Sequence, residues 1–287
     1  MSMDINKIAI IGAGNMGHQI ALCAALSGFK VTCTDMNVDI LNKAIQFTDN
    51  HLKERVKKEK LTKEEAEQAR ENIAFISTIE EAVADADLVI EAIIEKLAIK
   101  RKLFAQLDKL CPSHTILATN SSYIVSSKIA DATSRPDKVC NMHFFNPALV
   151  MKLVEVVKGS HVSDETIEAV MNAAKKMGKT PVLLHKEIYD FLVNRFLQAT
   201  RQEALKLFDM GIASHEDIDT AVRNGLGYPM GPFQLLDLTG VDLAYYTAME
   251  KYSESGDAAD RPSPTIVEKF TKGEWGKKVG KGFYDYE

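Results

Sequence analysis

Several kinds of segment are missing from this sequence of 287 residues. No apolar run approaches the roughly 20 residues that a membrane-spanning helix requires. The first residues, MSMDIN, lead directly into an apolar strand, without a basic flank, a leader-like apolar core or an Arg/Ser-rich transit segment. Basic residues are not in excess, since the formal net charge is −5. We therefore expect a soluble cytoplasmic protein without a general surface for nucleic acid or membrane.

Cysteine is scarce, and its spacing follows no motif. The four cysteines form no CxxC pair, so the pattern predicts neither a metal site nor a redox couple. They lie mostly in apolar stretches, which favours buried free thiols in a reducing compartment. The hydrophobic content of 46% and the charged content of 26% are ordinary for a globular protein. The cysteines are Cys23, Cys33, Cys111 and Cys140.

The order of apolar segments indicates the fold. Short β-rich runs alternate with helical patterns through the first two-thirds of the chain, and their apolar continuity is typical of strands covered on both faces. This alternation predicts an α/β fold with a Rossmann-type, doubly wound, mainly parallel sheet. Long amphipathic helices follow, so we predict a dinucleotide-binding domain at 1–186 and an all-helical second domain at 187–287. The predicted strands are KIAIIG, KVTCTD, IAFIST, DLVIEAI, TILATN, VCNMHFF, LVEVV and TPVLL.

A glycine-rich turn joins the first strand to the first helix in IAIIGAGNMGHQIALCAALSGFKVTCTD. Gly12 permits a tight turn, Gly14 lets the backbone approach a pyrophosphate, and Gly17 allows close packing of helix on strand. The N-terminus of the helix supplies N–H donors and a favourable dipole for phosphates. We assign the whole loop to the cofactor: Gly12, Ala13, Gly14, Asn15, Met16 and Gly17.

Asp35 indicates which dinucleotide binds. It ends the second strand, close to the roughly 20 residues after the glycine motif at which an acid binds the adenosine ribose. A carboxylate there would repel a 2′-phosphate, and the stretch DMNVD contains no Arg or Lys. The sequence therefore predicts NAD rather than NADP as the cofactor.

Two charged or titratable residues interrupt strands that are otherwise built to be buried. His143 ends one strand, and Glu155 lies in the next. Ligands of doubly wound sheets bind outside the carboxyl ends of the strands, where an imidazole can act as a base at neutral pH. A carboxylate on one ring nitrogen fixes the tautomer and favours the protonated form. Spacing alone leaves a purely structural His–Glu bond open.

The motifs taken together resemble a known family. Six motifs are similar to motifs of the short-chain L-3-hydroxyacyl-CoA dehydrogenases, and most similar to those of the bacterial 3-hydroxybutyryl-CoA enzymes. These motifs are GAGNMG, EAIIEKLAIK, NSS, HFFNPALVMKLVEVV, LVNR and GYPMGPF. The resemblance covers essentially the whole chain. It implies NAD-dependent interconversion of an L-3-hydroxyacyl-CoA and a 3-ketoacyl-CoA, and a helical C-terminal domain that forms a homodimer.

The resemblance also implies individual roles. His143 matches the catalytic histidine, Glu155 its acidic partner, and Ser122 the serine that contacts the substrate hydroxyl and the cofactor. Asn194 matches the substrate-binding asparagine. Without the family, Ser122 is equally a helix N-cap, and Glu95 and Lys100 are exposed charges at a helix end. The further positions that match cofactor contacts are Glu95, Lys100, Asn146 and Lys278.

A basic segment offers a site for the CoA phosphates. HLKERVKKEKLTKEE is the densest cluster of positive charge in an acidic protein, although such runs are commonly a solvated helix face. Lys58 matches a CoA-binding lysine of the family. His51 stands where relatives use serine towards CoA, so this chain departs from the family at that contact. A second departure is IYDF before LVNR, where the family often has PGF and where this chain has Asp190.

Three other functions share part of the pattern. The 6-phosphogluconate and hydroxyisobutyrate dehydrogenases also open on GAGNMG, but their catalytic lysine in a glycine-rich helix has no counterpart here. A dehydrogenase of a non-CoA 3-hydroxy acid, of the gulonate or carnitine type, shares more motifs. A non-catalytic NADH-binding protein, like the lens crystallins related to this family, is also open.

Overall fold

The chain divides into two compact units, Met1–Phe191 and Leu192–Glu287. The structure, a computed structural model, describes residues 4–287, except for the side chains of residues 254 and 255. The division falls just beyond residue 186, where the sequence pattern changes. Within the described range, no helix has the length and apolar character needed to cross a membrane.

The described part of the first unit contains an eight-stranded sheet with the order β3-β2-β1-β4-β5-β6-β7-β8. All the strands predicted from the sequence are present, and the pairs from β3 through β6 are parallel. The predicted Rossmann-type, mainly parallel sheet is therefore confirmed. The strands are β1 Lys7–Ile11, β2 Lys30–Thr34, β3 Ile73–Ile76, β4 Leu88–Glu91, β5 Ile116–Thr119, β6 Val139–Phe144, β7 Leu153–Val157 and β8 Thr180–Leu184.

Helices cover both faces of this sheet, which explains the continuous apolar strands. Ile8 and Ile10 of β1 belong to one buried cluster, whereas Ala9 and Ile11 belong to another on the opposite face. A strand that is buried on both sides needs no polar alternation. The helices of this unit are α1 Asn15–Leu26, α2 Val38–Lys57, α3 Lys63–Glu71, α4 Ile79–Val83, α5 Leu97–Leu110, α6 Ser127–Ala130 and α7 Asp164–Lys176.

Strand β7 runs antiparallel to β6, and the short connection between them requires it. Parallel neighbours need a crossover of a dozen or more residues, and residues 145–152 are too few. The chain therefore turns back on itself, and the register places His143 directly opposite Glu155. Strand β8 then runs parallel to β7.

The four cysteines are buried and free, as predicted. Burial raises the pKa of the Cys140 thiol to about 12. This thiol is therefore neutral at physiological pH and acts as a small apolar core residue.

The second unit is helical, with two isolated β-bridges near its C-terminus. Ser214 is the N-cap of α9, and its side chain accepts a hydrogen bond from the Asp217 N–H at 3.1 Å. The helices are α8 Val193–Asp209, α9 His215–Leu226, α10 Pro232–Thr239, α11 Val241–Ser255 and α12 Pro264–Thr271.

A buried carboxylate explains the GYPMGPF motif of this unit. Asp219, on α9, is 1% exposed and accepts the N–H groups of Phe233 and Gln234 at 2.8 and 2.9 Å, so it caps the start of α10. The Tyr284 hydroxyl donates to it at 2.8 Å. A Cβ at Gly231 would lie 2.4 Å from Asp219 Oδ1, so only glycine leaves space for this cap.

Replacing Asp219 with Asn should destabilise the helical unit. The amide cannot accept all three hydrogen bonds, and we expect the free energy of unfolding to fall by about 2–4 kcal/mol. Urea denaturation measures the change. Glu203→Gln, which neutralises an exposed carboxylate on α8, is the matched control. Equal stability of the two variants would show that Asp219 is not the anchor of α10.

Candidate active site

The glycine-rich turn lies between β1 and α1, at the carboxyl edge of the sheet and beside the end of β4. Gly12 has φ +98°, which favours glycine, and a Cβ there would lie 2.7 Å from the carbonyl oxygen of Ala92. A Cβ on Gly17 would lie 1.7 Å from the Gly12 carbonyl oxygen. Both glycines are therefore required for close packing at the point where the strand order reverses.

Gly14 differs from its two neighbours in the motif, because a Cβ there would meet nothing within 4 Å. It is the N-cap of α1 and provides no side-chain cap for the helix, so open space adjoins the N–H groups of the first turn. Asp35 follows β2 and accepts the Ala13 N–H at 2.8 Å, which holds this carboxylate against the loop. An open helix N-terminus beside an acid fits the pyrophosphate and ribose of a dinucleotide.

His143 and Glu155 form a buried pair across β6 and β7. The distance from His143 Nδ1 to Glu155 Oε2 is 2.8 Å, and the two residues are 4% and 0% exposed. Donation of Nδ1–H to the carboxylate leaves the Nε2 lone pair as the basic position of the neutral ring. The arrangement is that of a general base with an orienting acid.

Aromatic rings hold the imidazole in place. The His143 ring centroid lies 4.5 Å from that of Phe145 and 5.6 Å from that of Phe191. These contacts restrict rotation of the ring about its side-chain bonds. Phe191 itself is fully buried and has φ +50°, while Asp190 before it has φ +64°. The IYDF segment therefore adopts left-handed backbone at two residues that are not glycine, a conformation that L residues seldom adopt.

Loops at the same edge bring other predicted residues towards the glycine turn. Asn15 donates to Asn146 Oδ1 at 3.1 Å, so the loop after β6 is joined to the cofactor turn. Ser122 is half-buried and lies just beyond β5. It does not cap a helix, since α6 begins at Ser127 with Ser126 at its N-cap. The Asn120 side chain accepts the Phe144 N–H at 2.8 Å and so ties β5 to the strand of His143.

Lys100 is buried, and the interpretation of it as an exposed helix-end charge is wrong. Its side chain is 1% exposed, and its ammonium lies 2.6 Å from Glu91 Oε1 and 3.0 Å from Glu95 Oε2. Glu95 is partly exposed and also accepts a hydrogen bond from the Ser121 hydroxyl. The charged cluster thus lies at the carboxyl ends of β4 and β5.

The residues expected to bind CoA lie in α2 or directly after it. Lys58 follows the helix, is exposed, and pairs with Glu54 at 3.1 Å. His51 is half-buried and stacks on Phe47 with a centroid separation of 5.7 Å. Burial, followed by the positive charge of Arg55, lowers the pKa of His51. At neutral pH His51 therefore offers a ring rather than a positive charge.

Asn194 and Lys278 belong to the helical unit. Asn194 lies in the first turn of α8. Lys278 forms an ion pair with Asp242. Among the described residues, no group of three or more His, Cys, Asp or Glu side chains is arranged to hold a metal ion.

The sequence predicts no role in the site for three residues of this cluster, Glu91, Thr119 and Ser121. A signal for Glu91 does exist, because a carboxylate in the apolar run DLVIEAI is as unusual as the histidine in VCNMHFF. Thr119 and Ser121 carry no such signal. Their importance follows from the contacts of their hydroxyl groups.

The fold and the cofactor turn define a Rossmann-type oxidoreductase that uses NAD. The 3-hydroxyacyl-CoA dehydrogenase NAD-binding domain model matches residues 7–188, and the C-terminal domain model of the same family matches residues 191–286. The chain belongs to the 3-hydroxyacyl-CoA dehydrogenase family.

Individual relatives are similar to this chain along nearly its whole length. A probable 3-hydroxybutyryl-CoA dehydrogenase of Bacillus subtilis is 42% identical over 286 residues and covers 99% of both chains. The human mitochondrial hydroxyacyl-coenzyme A dehydrogenase is 39% identical, over 99% of this chain and 92% of its own. The crystal structure of (S)-3-hydroxybutyryl-CoA dehydrogenase from Ralstonia eutropha superposes with a TM-score of 0.91 at 36% identity, over 99% of this chain and all of the other.

The two glycines at the start of α1 should respond differently to alanine. Gly17→Ala forces a methyl group into the Gly12 carbonyl and should lower the free energy of unfolding by about 3 kcal/mol or more. Gly14→Ala should change it by less than about 0.5 kcal/mol. The methyl group should instead weaken NADH binding, because the backbone can no longer approach the pyrophosphate.

Urea denaturation and NADH titration measure these two effects. Each glycine variant serves as the control for the other. If Gly14→Ala binds NADH with wild-type affinity, the open N-terminus of α1 is not part of the cofactor site.

Proposed function

We propose that this chain interconverts an L-3-hydroxyacyl-CoA and the corresponding 3-ketoacyl-CoA, with 3-hydroxybutyryl-CoA and acetoacetyl-CoA as its substrate pair. The buried His143–Glu155 hydrogen bond at the cofactor edge of the sheet carries this proposal. Full-length similarity to proteins named as 3-hydroxybutyryl-CoA dehydrogenases supports the choice of acyl group.

His143 moves the proton of the reaction. In the direction of oxidation its Nε2 takes the proton of the 3-hydroxyl group, and in reduction it returns that proton to the 3-oxygen. Glu155 stabilises the imidazolium that forms during oxidation, because its carboxylate already accepts Nδ1–H. Acid–base help of this kind contributes about 10²–10⁴ in rate.

The glycine turn and Asp35 hold the cofactor, which when bound accepts or returns the hydride at C3. The N–H groups at the start of α1 bind the pyrophosphate, and Asp35 binds the adenosine ribose. Glu95, Lys100 and Asn146 complete this site by their correspondence with family positions. Lys278, in the helical unit, corresponds to a further cofactor-contacting position of the family. The ion pairs of Lys100 with Glu91 and Glu95 indicate that it supports the site from beneath the surface.

Ser122 orients the substrate. Its hydroxyl group holds the 3-oxygen, a contribution of positioning and polar stabilisation. Asn194, in the helical unit, corresponds to the substrate-binding asparagine of the family. Lys58 binds a CoA phosphate through its exposed ammonium group, and the neutral ring of His51 supplies a contact without charge.

We also propose a cytoplasmic homodimer that assembles through the helical unit. Large apolar side chains are exposed on this unit, among them Phe196 at 72%, Leu226 at 67% and Ile212 at 63%. Exposed apolar surface of this kind is typical of an interface between proteins. The free buried thiols agree with a reducing compartment.

His143→Ala should abolish reduction of acetoacetyl-CoA by NADH, with a loss of at least about 10² in kcat, while NADH affinity is retained. Stopped-flow kinetics and NADH titration separate the two effects. The kcat of Glu155→Gln should lie between the values of His143→Ala and wild type, since the amide can orient the ring but carries no charge.

His114→Ala is the matched control, because His114 pairs with a carboxylate, Asp87, at the protein surface with a separation of 3.1 Å. Full activity in His143→Ala would refute the acid–base assignment. A wild-type protein that binds NADH and reduces no acyl-CoA would favour the non-catalytic alternative. Turnover of gulonate or carnitine without turnover of acetoacetyl-CoA would favour a dehydrogenase of a non-CoA 3-hydroxy acid.

Lys58→Ala should raise KM for acetoacetyl-CoA about two- to fivefold, the range expected for one exposed ion pair. The KM for the pantetheine thioester, which lacks the nucleotide phosphates, should not change. Lys63→Ala, which removes an exposed lysine paired with Glu67, is the control. An equal effect on both thioesters would exclude phosphate binding by Lys58.

A further inference from the structure

Glu91 is a fully buried carboxylate at the carboxyl end of β4 that takes no direct part in the proposed reaction. Its Oε1 atom accepts the Ile93 N–H at 2.7 Å and the Lys100 ammonium at 2.6 Å. Its Oε2 atom accepts the Thr119 hydroxyl at 2.7 Å. One carboxylate thus contacts the loop after β4, the helix α5 and the end of β5.

The branch through Lys100 ends at a predicted cofactor residue. Lys100 donates to Glu91 and also lies 3.0 Å from Glu95 Oε2. Two carboxylates therefore share one buried ammonium group. Glu91 has no exposure to solvent, whereas the Glu95 side chain is 28% exposed. The buried partner anchors Lys100, and Lys100 in turn holds Glu95 at the surface of the crevice.

The branch through Thr119 ends at Ser121, the residue before the predicted substrate residue Ser122. Thr119 is the partner of Glu91 in the parallel register of β4 and β5. Its hydroxyl donates to Glu91 and accepts the Ser121 N–H at 3.1 Å. The Ser121 hydroxyl accepts the Ile124 N–H at 2.7 Å and donates to Glu95. The turn that carries Ser122 is therefore held on both sides and joined to Glu95.

Stability alone does not account for these charges. Burial of an ion pair costs desolvation free energy that its attraction often only balances, and apolar residues of similar volume can replace such a pair without loss. Directional hydrogen bonds do what apolar packing cannot, because they fix the positions of the groups that they join. The network ends at Glu95, which is assigned to the site, and at Ser121, which directly precedes the assigned Ser122.

We propose that Glu91 is a positioning residue, which fixes Glu95 through Lys100 and the turn of Ser122 through Thr119 and Ser121. This inference rests on the proposed roles of Glu95 and Ser122 in the reaction. It adds a residue that touches neither substrate nor cofactor, and it joins the cofactor side of the site to the substrate side.

Glu91→Gln tests the proposal. The amide keeps the size of the side chain, but it carries no charge for Lys100 and has one accepting oxygen for three donors, so both loops should shift. We expect the Kd for NADH to rise about tenfold and kcat to fall about 10- to 100-fold, the effect of a misplaced reacting group. The inhibition constant of free CoA should not change, because Lys58 lies on a different element.

Thr119→Val provides a second variant that removes the hydroxyl without changing the charge or the shape of the side chain. It should raise the Kd for NADH and lower kcat in the same direction as Glu91→Gln, by a smaller factor. If Glu91→Gln does not fold, the NADH affinity and kcat of Thr119→Val alone test the proposal. Wild-type NADH affinity and kcat in the folded variants would overturn the proposal.

Asp108→Asn is the control for loss of stability. Asp108 pairs with Arg135 at 2.7 Å, and the side chains are 13% and 11% exposed. Further hydrogen bonds of the two side chains go to Ser134, Pro112 and Cys111, which lie outside the two loops. This variant should unfold at lower urea concentration with unchanged NADH affinity and kcat. Kinetic losses equal to those of Glu91→Gln would mean that general destabilisation is the cause, and would also overturn the proposal.

NADH affinity separates this inference from the proposed function. If wild type reduces no acyl-CoA, the proposed function fails, and NADH titration of the variants still decides whether Glu91 positions the cofactor loop. If wild type is active and His143→Ala is not, the function stands and Glu91 is judged by its own variants.

Discussion

The hydrogen bond between His143 and Glu155 depends on the reversal of one strand. Every strand from β1 through β6 runs in one direction, and the chain then turns within eight residues to form the antiparallel β7. A longer connection would permit a parallel strand, in which a different residue would face His143. The short loop therefore places a carboxylate opposite the imidazole, where both are excluded from water. In that environment the orientation of the ring is fixed before any substrate arrives.

The same edge of the sheet collects the other functional groups. Parallel strands end together, so the glycine turn after β1, Glu91 and Glu95 after β4 and Ser122 after β5 all gather around the point of strand reversal. Close packing of Gly12 on Ala92 brings the first two of these segments into contact. Buried charges then connect the loops by hydrogen bonds. The candidate active site is thus a consequence of strand order together with a few polar contacts.

Sequence patterns predicted much of this arrangement, and specific residues show where they failed. The glycine motif, Asp35 and the histidine within an apolar strand could each be assigned because local spacing encodes them. Lys100 could not, because a lysine at the start of a helix is ordinarily exposed, and only its packing against Glu91 reveals its burial. The left-handed backbone of Asp190 and Phe191 likewise cannot be predicted from the sequence IYDF. Both outcomes are decided by neighbours that are distant in the chain.

The sequence by itself determined the strands, the helices, the cofactor turn and the chemical types of the groups that we assign to the reaction. These properties depend on periodicity and on the conformations that glycine permits, which act over a few residues. The tertiary structure alone decided which carboxylate meets which cation, and that Asp219 occupies the space left by Gly231. Such pairings depend on distances between elements, because a buried charge is stable only where a partner lies within hydrogen-bonding reach.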